Sequence, residues 1–282
     1  MKNLVIGQSG GPTAVINASL YGAVKAFRES GADGHVLGMI NGIEGFLADH
    51  VMDLSTDLSD KELELLKLTP AAYLGSCRYK LPADLDSEVY PAIFDNFREM
   101  NIGYFLYVGG NDSMDTVDKL SRYAEKIGSD VKFIGIPKTI DNDLVLTDHT
   151  PGFGSAAKYV ASTVREIVLD ASVYQQRSVT IVEIMGRHAG WLTAASRLAR
   201  KYEGDNPCLI YLPETPFSLE QFWTLHSRNP RTSLSASPRE LPMRAAPLSA
   251  STPTQRSSIP SVTRCSPAAV RSWKALSATS SA

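Results

Sequence analysis

The sequence predicts an α/β protein with Rossmann-like parallel sheets in two domains, the second of them truncated, followed by a disordered C-terminal tail. Three observations carry that prediction. From Met1 to about Phe222, short β-branched runs alternate with helix-period segments, the pattern of a parallel sheet covered on both faces. A polar or Gly-rich turn follows each candidate strand. After about Trp223 the pattern stops: residues 229–282 hold 13 Ser, seven Pro and nine Ala but no Gly and no Asp, and Gly204 is the last glycine of the chain.

Strands are expected at Leu4–Ile6, Val36–Ile40, Tyr104–Val108, Val131–Ile136, Val179–Ile184 and Leu209–Leu212, each a short apolar run. Helices are expected at Thr13–Glu29, Asp60–Leu68, Glu88–Met100, Ser113–Lys126, Ser155–Ala171 and Arg187–Lys201. There, apolar residues recur at three- and four-residue steps between Gly, Pro and Asp punctuation. A globular α/β domain needs Gly and Asp to close its turns and caps, so the tail cannot continue the architecture that precedes it. Its composition cannot bury enough apolar surface to offset ordering entropy. The segment reads either as a natural Ser/Pro-rich tail or as a reading-frame shift near residue 224. The expected division is therefore 1–138, 139–224 and 225–282.

With 282 residues, 43% of them apolar and 21% charged, the chain can bury a core of one or two domains. The net charge of -2 gives no general reason to expect a nucleic-acid partner. It averages a split, since residues 229–282 carry six Arg and one Lys against Glu240 alone. Cys77, Cys208 and Cys265 are odd in number and show no CxxC spacing, which argues against a disulfide framework or a structural zinc site. No secretory h-region opens the chain and no run of about 18 apolar residues occurs, so the expectation is an untargeted cytoplasmic protein without a membrane partner.

Four motifs carry chemistry. Gly7-Gln8-Ser9-Gly10-Gly11-Pro12-Thr13 links a strand to a helix, where bare backbone N–H groups and the helix N-terminus suit a phosphate. Taken alone it reads equally as a tight turn without a ligand. Gly109-Gly110-Asn111-Asp112-Ser113 repeats the strand, Gly-Gly, helix arrangement. Its polar residues can serve as an N-cap, but two such turns at carboxyl ends of strands lie where open α/β sheets take their ligands. Gly135-Ile136-Pro137-Lys138-Thr139-Ile140-Asp141-Asn142-Asp143 packs a lysine and two aspartates at a strand end. A capped loop explains Asp and Asn but not Lys. A lysine can neutralise phosphate, one aspartate can take a hydroxyl proton, and the other can orient it or hold Mg²⁺. In Glu183-Ile184-Met185-Gly186-Arg187-His188-Ala189-Gly190-Trp191, Gly186 permits close approach and Arg187 can fork onto a phosphate. Arg78 and Arg177 are further candidates, and Glu214 follows the last strand, where a carboxylate can accept from sugar hydroxyls.

Together these blocks, with the stretch from Thr147 to Tyr159, resemble the 6-phosphofructokinase family over about residues 1–222. The lysine at 138 is similar to its pyrophosphate-dependent branch. The resemblance implies phosphoryl transfer to the 1-hydroxyl of fructose 6-phosphate. Asp141 would be the base, with Thr139, Ile140 and Asp143 in the same substrate loop. Met185, Gly186 and Arg187 would hold the sugar phosphate, Arg177 would reach it from a neighbouring subunit of a homo-oligomer, and Glu214 would bind sugar hydroxyls. Gly10, Gly11, Arg78, Gly110 and Ser113 would face the donor, and Mg²⁺ would be the cofactor.

Relatives that use ATP carry glycines where this chain has Asp112 and Lys138. Asp112 would set a carboxylate against a nucleotide's α-phosphate, and Lys138 would offer a cation to the leaving phosphate. Pyrophosphate is therefore the expected donor, with ATP as its rival. Asn111 stands where an Asp that helps hold the metal is usual, and an amide oxygen is a poorer ligand for a hard cation. Two other readings stand beside this one: an inactive phosphometabolite-binding fragment, and a nicotinamide-binding reductase, whose GxGxxG spacing Gly7–Pro12 does not supply.

Overall fold

A computed structural model gives the structure, and it describes residues 2–175, 179–186, 188–203, 205, 208–218, 220–222, 224 and 232–236. The described chain falls into two units, the first comprising residues 1–139 and 150–152, the second 140–149 and the residues from 153 onward.

In the first unit the elements run β1 (Asn3–Gln8), α1 (Ile16–Glu29), β2 (Val36–Met39), α2 (Gly42–Leu47), β3 (Val51–Asp53), α3 (Asp60–Leu66), α4 (Val89–Glu99), β4 (Ile102–Gly109), α5 (Asn111–Ile127) and β5 (Lys132–Pro137). The sheet order is β3-β2-β1-β4-β5. β1 pairs in parallel with β2 and β4, and β4 with β5, while β3 is antiparallel to β2. Register places Gly7 beside Tyr107 and Gly109 beside Pro137, so the ends of β1, β4 and β5 lie level. The strand order reverses at β1, which makes the β1/β4 edge the switch point where such sheets bind ligands.

Alternation along the strands divides the core into two layers. Leu4, Ile6, Leu106 and Val108 face Ile16, Leu20 and Val24 of α1. Val5, Phe105 and Tyr107 face the opposite way, into an aromatic layer with Phe46, Tyr90, Phe94 and Phe97. The Phe94 and Phe97 rings meet edge to face with centroids 5.1 Å apart, and each fully buried side chain of this kind contributes about 1.5–3 kcal/mol.

The second unit has α6 (Phe153–Ser172), β6 (Val179–Glu183), α7 (Trp191–Ala194), a 3-10 turn at Ala195–Ala199, β7 (Cys208–Tyr211) and β8 (Thr232–Ala236). Its three strands are parallel in the order β6-β8-β7. Val164, Ile184, Leu192 and Ala199 form a small buried core, with Ile140, Phe153, Val160 and Val168 packed on it. Among the described residues no helix is long and apolar enough to cross a membrane.

The structure corrects the sequence reading in several places. β8 lies inside the segment expected to be disordered: Thr-Ser-Leu-Ser-Ala pairs through its backbone with both β6 and β7, and a central pairing of that kind leaves no compositional mark. The helix expected over Arg187–Lys201 begins only at Trp191 and tightens to a 3-10 turn four residues later, because Gly190 caps its start. The short α2 and the antiparallel β3 were not foreseen, so the first sheet is mixed rather than purely parallel.

Candidate active site

Two glycine turns and one lysine come together at the carboxyl ends of β1, β4 and β5. After β1, Gly10 takes a left-handed φ of 77°, which a side chain would strain. A Cβ at Gly11 would meet nothing within 4 Å, so this backbone is open to a ligand. After β4, a Cβ at Gly109 would fall 1.9 Å from Ser113 Oγ and 3.2 Å from Ser9 O, so only glycine lets the two turns pack this closely. Gly110 caps α5 without a side-chain bond, and Ser113 N donates to its carbonyl at 2.9 Å. The N-terminus of this 17-residue helix carries roughly half a positive charge.

Lys138 completes the group from the end of β5. Its backbone N donates to Gly109 O at 2.9 Å, and its side chain, only 5% exposed, reaches past β4 so that Nζ donates to Gly11 O. A buried ammonium is costly unless it is paired, and this one sets its charge at the first glycine turn, while the backbone of the same residue is tied to the second. Arg78 is exposed on the segment beside them, where Ser76 Oγ donates to Gly10 O at 2.6 Å and Ser9 Oγ donates to Cys77 O at 3.3 Å. Below this layer, Tyr107 OH lies 3.5 Å from Cys77 Sγ, and burial pushes the Tyr107 phenol strongly upward, so it stays neutral. Thr139 is fixed by Thr139 N donating to Pro151 O at 3.0 Å and by Thr150 Oγ1 donating to Thr139 O at 2.9 Å.

In the second unit, Ile140 packs on the small core while Asp141 is half-buried and Asp143 exposed. Between those aspartates Asn142 takes φ 57° and its Nδ2 donates to Asp148 O at 3.1 Å, which folds the loop back on itself. Beyond β6, Met185 is exposed and Gly186 buried. Glu214 Oε1 accepts from Gly190 N at 2.7 Å, so its carboxylate is held at the start of α7. Arg177 and Arg187 lie outside the described residues.

The sequence reading missed two partners. Lys80 Nζ lies 3.1 Å from Asp112 Oδ1, and its signal was its place two residues after Arg78. Gly190, treated as part of a motif, is the anchor of Glu214; an Ala Cβ there would fall 2.6 Å from Glu214 Oε2.

The fit to a divalent cation follows from the donor set. Asn111 and Asp112, both exposed, open α5 with one amide and one carboxylate. Among the described residues no group of three or more His, Cys, Asp or Glu side chains comes together. That suits Mg²⁺, which takes one or two carboxylates and completes its shell with phosphate oxygens and water.

An open, predominantly parallel sheet with helices packed on both faces defines an α/β protein of the doubly wound class. The chain belongs to the Phosphofructokinase family, whose pattern matches residues 3–233. It is 45% identical over 219 residues to the pyrophosphate–fructose 6-phosphate 1-phosphotransferase of Rhodospirillum rubrum, covering 78% of this chain and 52% of that protein. It is 46% identical over 220 residues to the enzyme of the same name from Halomonas elongata, covering 76% and 52%. The crystal structure of the pyrophosphate-dependent phosphofructokinase from Nitrosospira multiformis superposes with a TM-score of 0.77 at 40% identity, over 84% of this chain and 60% of that one. The chain thus spans about half the length of the curated relatives it matches.

Proposed function

We propose that the chain carries the reacting groups of a cytoplasmic pyrophosphate–fructose 6-phosphate 1-phosphotransferase, with residues 1–138 taking the phosphoryl donor and 139–224 the sugar phosphate. The observation that carries this reading is the buried Lys138 side chain held against Gly11 O of the first glycine turn, with its backbone N bonded to Gly109 O at the second. A cation there stabilises the charge that develops on a departing phosphate and costs no reorganisation as it develops.

Gly10, Gly11, Gly110 and Ser113 offer backbone and hydroxyl groups to diphosphate oxygens, and Arg78 adds a bidentate fork. Asp112 sets its negative charge where a nucleotide would continue, disfavouring ATP. Asp141 accepts the proton of the attacking 1-hydroxyl, with Thr139, Ile140 and Asp143 shaping the same loop. Met185, Gly186 and Arg187 bind the sugar 6-phosphate, Arg177 adds to it from a neighbouring subunit, and Glu214 accepts from sugar hydroxyls. Asp112 and the Asn111 amide oxygen would hold Mg²⁺, which would supply charge neutralisation at donor oxygens. Positioning and charge neutralisation carry most of phosphoryl transfer. Donor and product are both phosphates, so the reaction is readily reversible.

The test is to incubate purified chain with fructose 6-phosphate, Mg²⁺ and either pyrophosphate or ATP. Fructose 1,6-bisphosphate formed with pyrophosphate alone supports the reading, and formation with ATP alone overturns the donor. The second reading is binding without turnover. That reading gives calorimetric binding of both substrates and no product.

A further inference from the structure

Beneath the first glycine turn lie two side-chain amides with no exposure at all, Gln8 and Asn17. Gln8 Nε2 donates to Asn17 Oδ1 at 3.0 Å and to Ile16 O at 3.1 Å, and Gln8 Oε1 accepts from Leu74 N at 2.9 Å. Asn17 Nδ2 donates to Thr69 O at 2.8 Å and to Ala71 O at 2.7 Å, while its Oδ1 also accepts from Tyr73 N at 2.9 Å. Asn17 therefore uses its full hydrogen-bonding capacity and Gln8 three of its four sites. Four of the six bonds reach forward to residues 69–74, a stretch with few regular bonds of its own, in which Ala71 is held at a left-handed φ of 68°.

The same stretch leads directly to the donor turn. Asn41 N donates to Leu74 O at 2.8 Å, Ser76 Oγ donates to Gly10 O, and Ser9 Oγ donates to Cys77 O, after which comes Arg78. Residues 69–77 are thus tied at both ends to the β1–α1 junction, first through the amide pair and last through the glycine turn itself. Burying two amides is unfavourable unless every group is matched, and once matched they admit one arrangement only. An apolar pair would fill the same space without fixing which backbone atom sits where.

We propose that Gln8 and Asn17 form a positioning pair that sets the place of Arg78 relative to the Gly10–Gly11 turn, and so sets affinity for the inorganic diphosphate donor. The donor half of this inference rests on the assignment of Arg78 under Proposed function. Neither amide touches the donor; both act through the backbone of residues 69–77.

Asn17→Asp tests it, because the change is isosteric and turns two donors into acceptors facing Thr69 O and Ala71 O. The full chain is compared as wild type, Asn17→Asp, Arg78→Ala and the double variant, using hydrogen exchange by mass spectrometry and calorimetric titration with sodium pyrophosphate. Exchange over residues 69–78 is expected to speed by at least about tenfold while residues 120–137 are unchanged, since opening of a local unit follows its own bonds. The dissociation constant is expected to rise about tenfold in Asn17→Asp, and the double variant is expected to bind no more weakly than Arg78→Ala alone. Residues that act through one another are non-additive, whereas a general loss of stability adds.

Unchanged exchange over 69–78 overturns the pair's role, as does an additive loss in the double variant or an unaltered affinity in Asn17→Asp when Arg78→Ala is weakened. If wild type takes no diphosphate, the functional reading of Arg78 falls, and exchange over 69–78 alone decides whether the amides fix that segment. Should Asn17→Asp not fold, Ser76→Ala removes one of the bonds that tie the far end of the segment to the glycine turn and enters the same comparison, with a rise of about threefold expected and the same non-additivity with Arg78→Ala.

Discussion

Lys80 Nζ lies 3.1 Å from Asp112 Oδ1, joining the segment that bears Arg78 to the first turn of α5. Both side chains are largely exposed, at 70% and 63%, so the pair contributes little to stability. Its consequence is for donor choice. Under the proposed reading, Lys80 would offset the carboxylate for a compact diphosphate whose charge ends near Lys138, whereas a longer nucleotide would still meet Asp112 at its α-phosphate. Like-charge juxtaposition disfavours the longer ligand, though solvent screening at an exposed carboxylate keeps the cost well below that at a buried one. Asp112→Gly combined with Lys138→Gly should therefore move the ratio of kcat/KM for ATP to that for pyrophosphate toward ATP by at least about tenfold. An unmoved ratio would remove both residues from donor selection.

Lys138 should matter to the chemical step more than to folding. Lys138→Met keeps the stem that fills the space between the two turns and deletes the ammonium. Loss of one preorganised charge-stabilising donor typically lowers kcat by about 10²–10³-fold. We expect such a fall with pyrophosphate, with a melting temperature within a few degrees of wild type. A variant that melts early, or one that keeps its kcat, would contradict the assignment.

How far the sequence could be read depended on what kind of force fixed each part. β1 and β4 were legible because strands buried on both faces read as short apolar runs, with Val5, Phe105 and Tyr107 in one layer and Leu4, Ile6 and Leu106 in the other, and α1, α4 and α5 because one buried face writes a period into the text. Gly109 was legible because close backbone approach admits no side chain there. β8 was not, since a backbone ladder between β6 and β7 asks little of Thr232–Ala236. Lys80 and the Gln8–Asn17 pair were missed for a different reason: their partners lie far along the chain, Asn17 bonding residues 69–73, and no local spacing reports a contact of that range. Arg177 and Arg187, both assigned by resemblance, lie outside the described residues and stay proposals.

α3 supplies a pH-dependent element away from the site. Ser59 caps it in a reciprocal box, with Glu62 N donating to Ser59 Oγ and Ser59 N donating to Glu62 Oε2 at 2.9 Å. The Ser59 hydroxyl, then its backbone N–H, favours the charged form and holds the Glu62 carboxyl below its ordinary value. A carboxyl lowered on folding stabilises the folded state above its unfolded value, about 4.3, and that contribution is lost as pH falls through the folded value. Ser59→Ala should lower the melting temperature by a few degrees at pH 7, and the gap to wild type should narrow at pH 3. A gap of constant size across that range would show that the box does not depend on the charge of Glu62.

Glu214 offers the complementary test for the sugar side. Its Oε1 accepts from Gly190 N at 2.7 Å, and an added Cβ at 190 would meet Glu214 Oε2 at 2.6 Å, Leu212 Cδ2 at 2.9 Å and Pro213 Cδ at 3.0 Å. These atoms belong to the loop after β7, so Gly190→Ala cannot be absorbed by one flexible side chain and must push the carboxylate away from the start of α7. Misplacing a positioned group by about 1 Å can cost as much as about 10²-fold in rate. If Glu214 binds sugar hydroxyls, Gly190→Ala should raise the KM for fructose 6-phosphate by at least about tenfold and leave the KM for pyrophosphate within about twofold of wild type. Glu214→Gln, which keeps an acceptor for Gly190 N but weakens it, should give a smaller rise of the same selectivity. A parallel rise in both KM values would mean that the Gly190–Glu214 contact supports the second unit as a whole and that the sugar is held elsewhere.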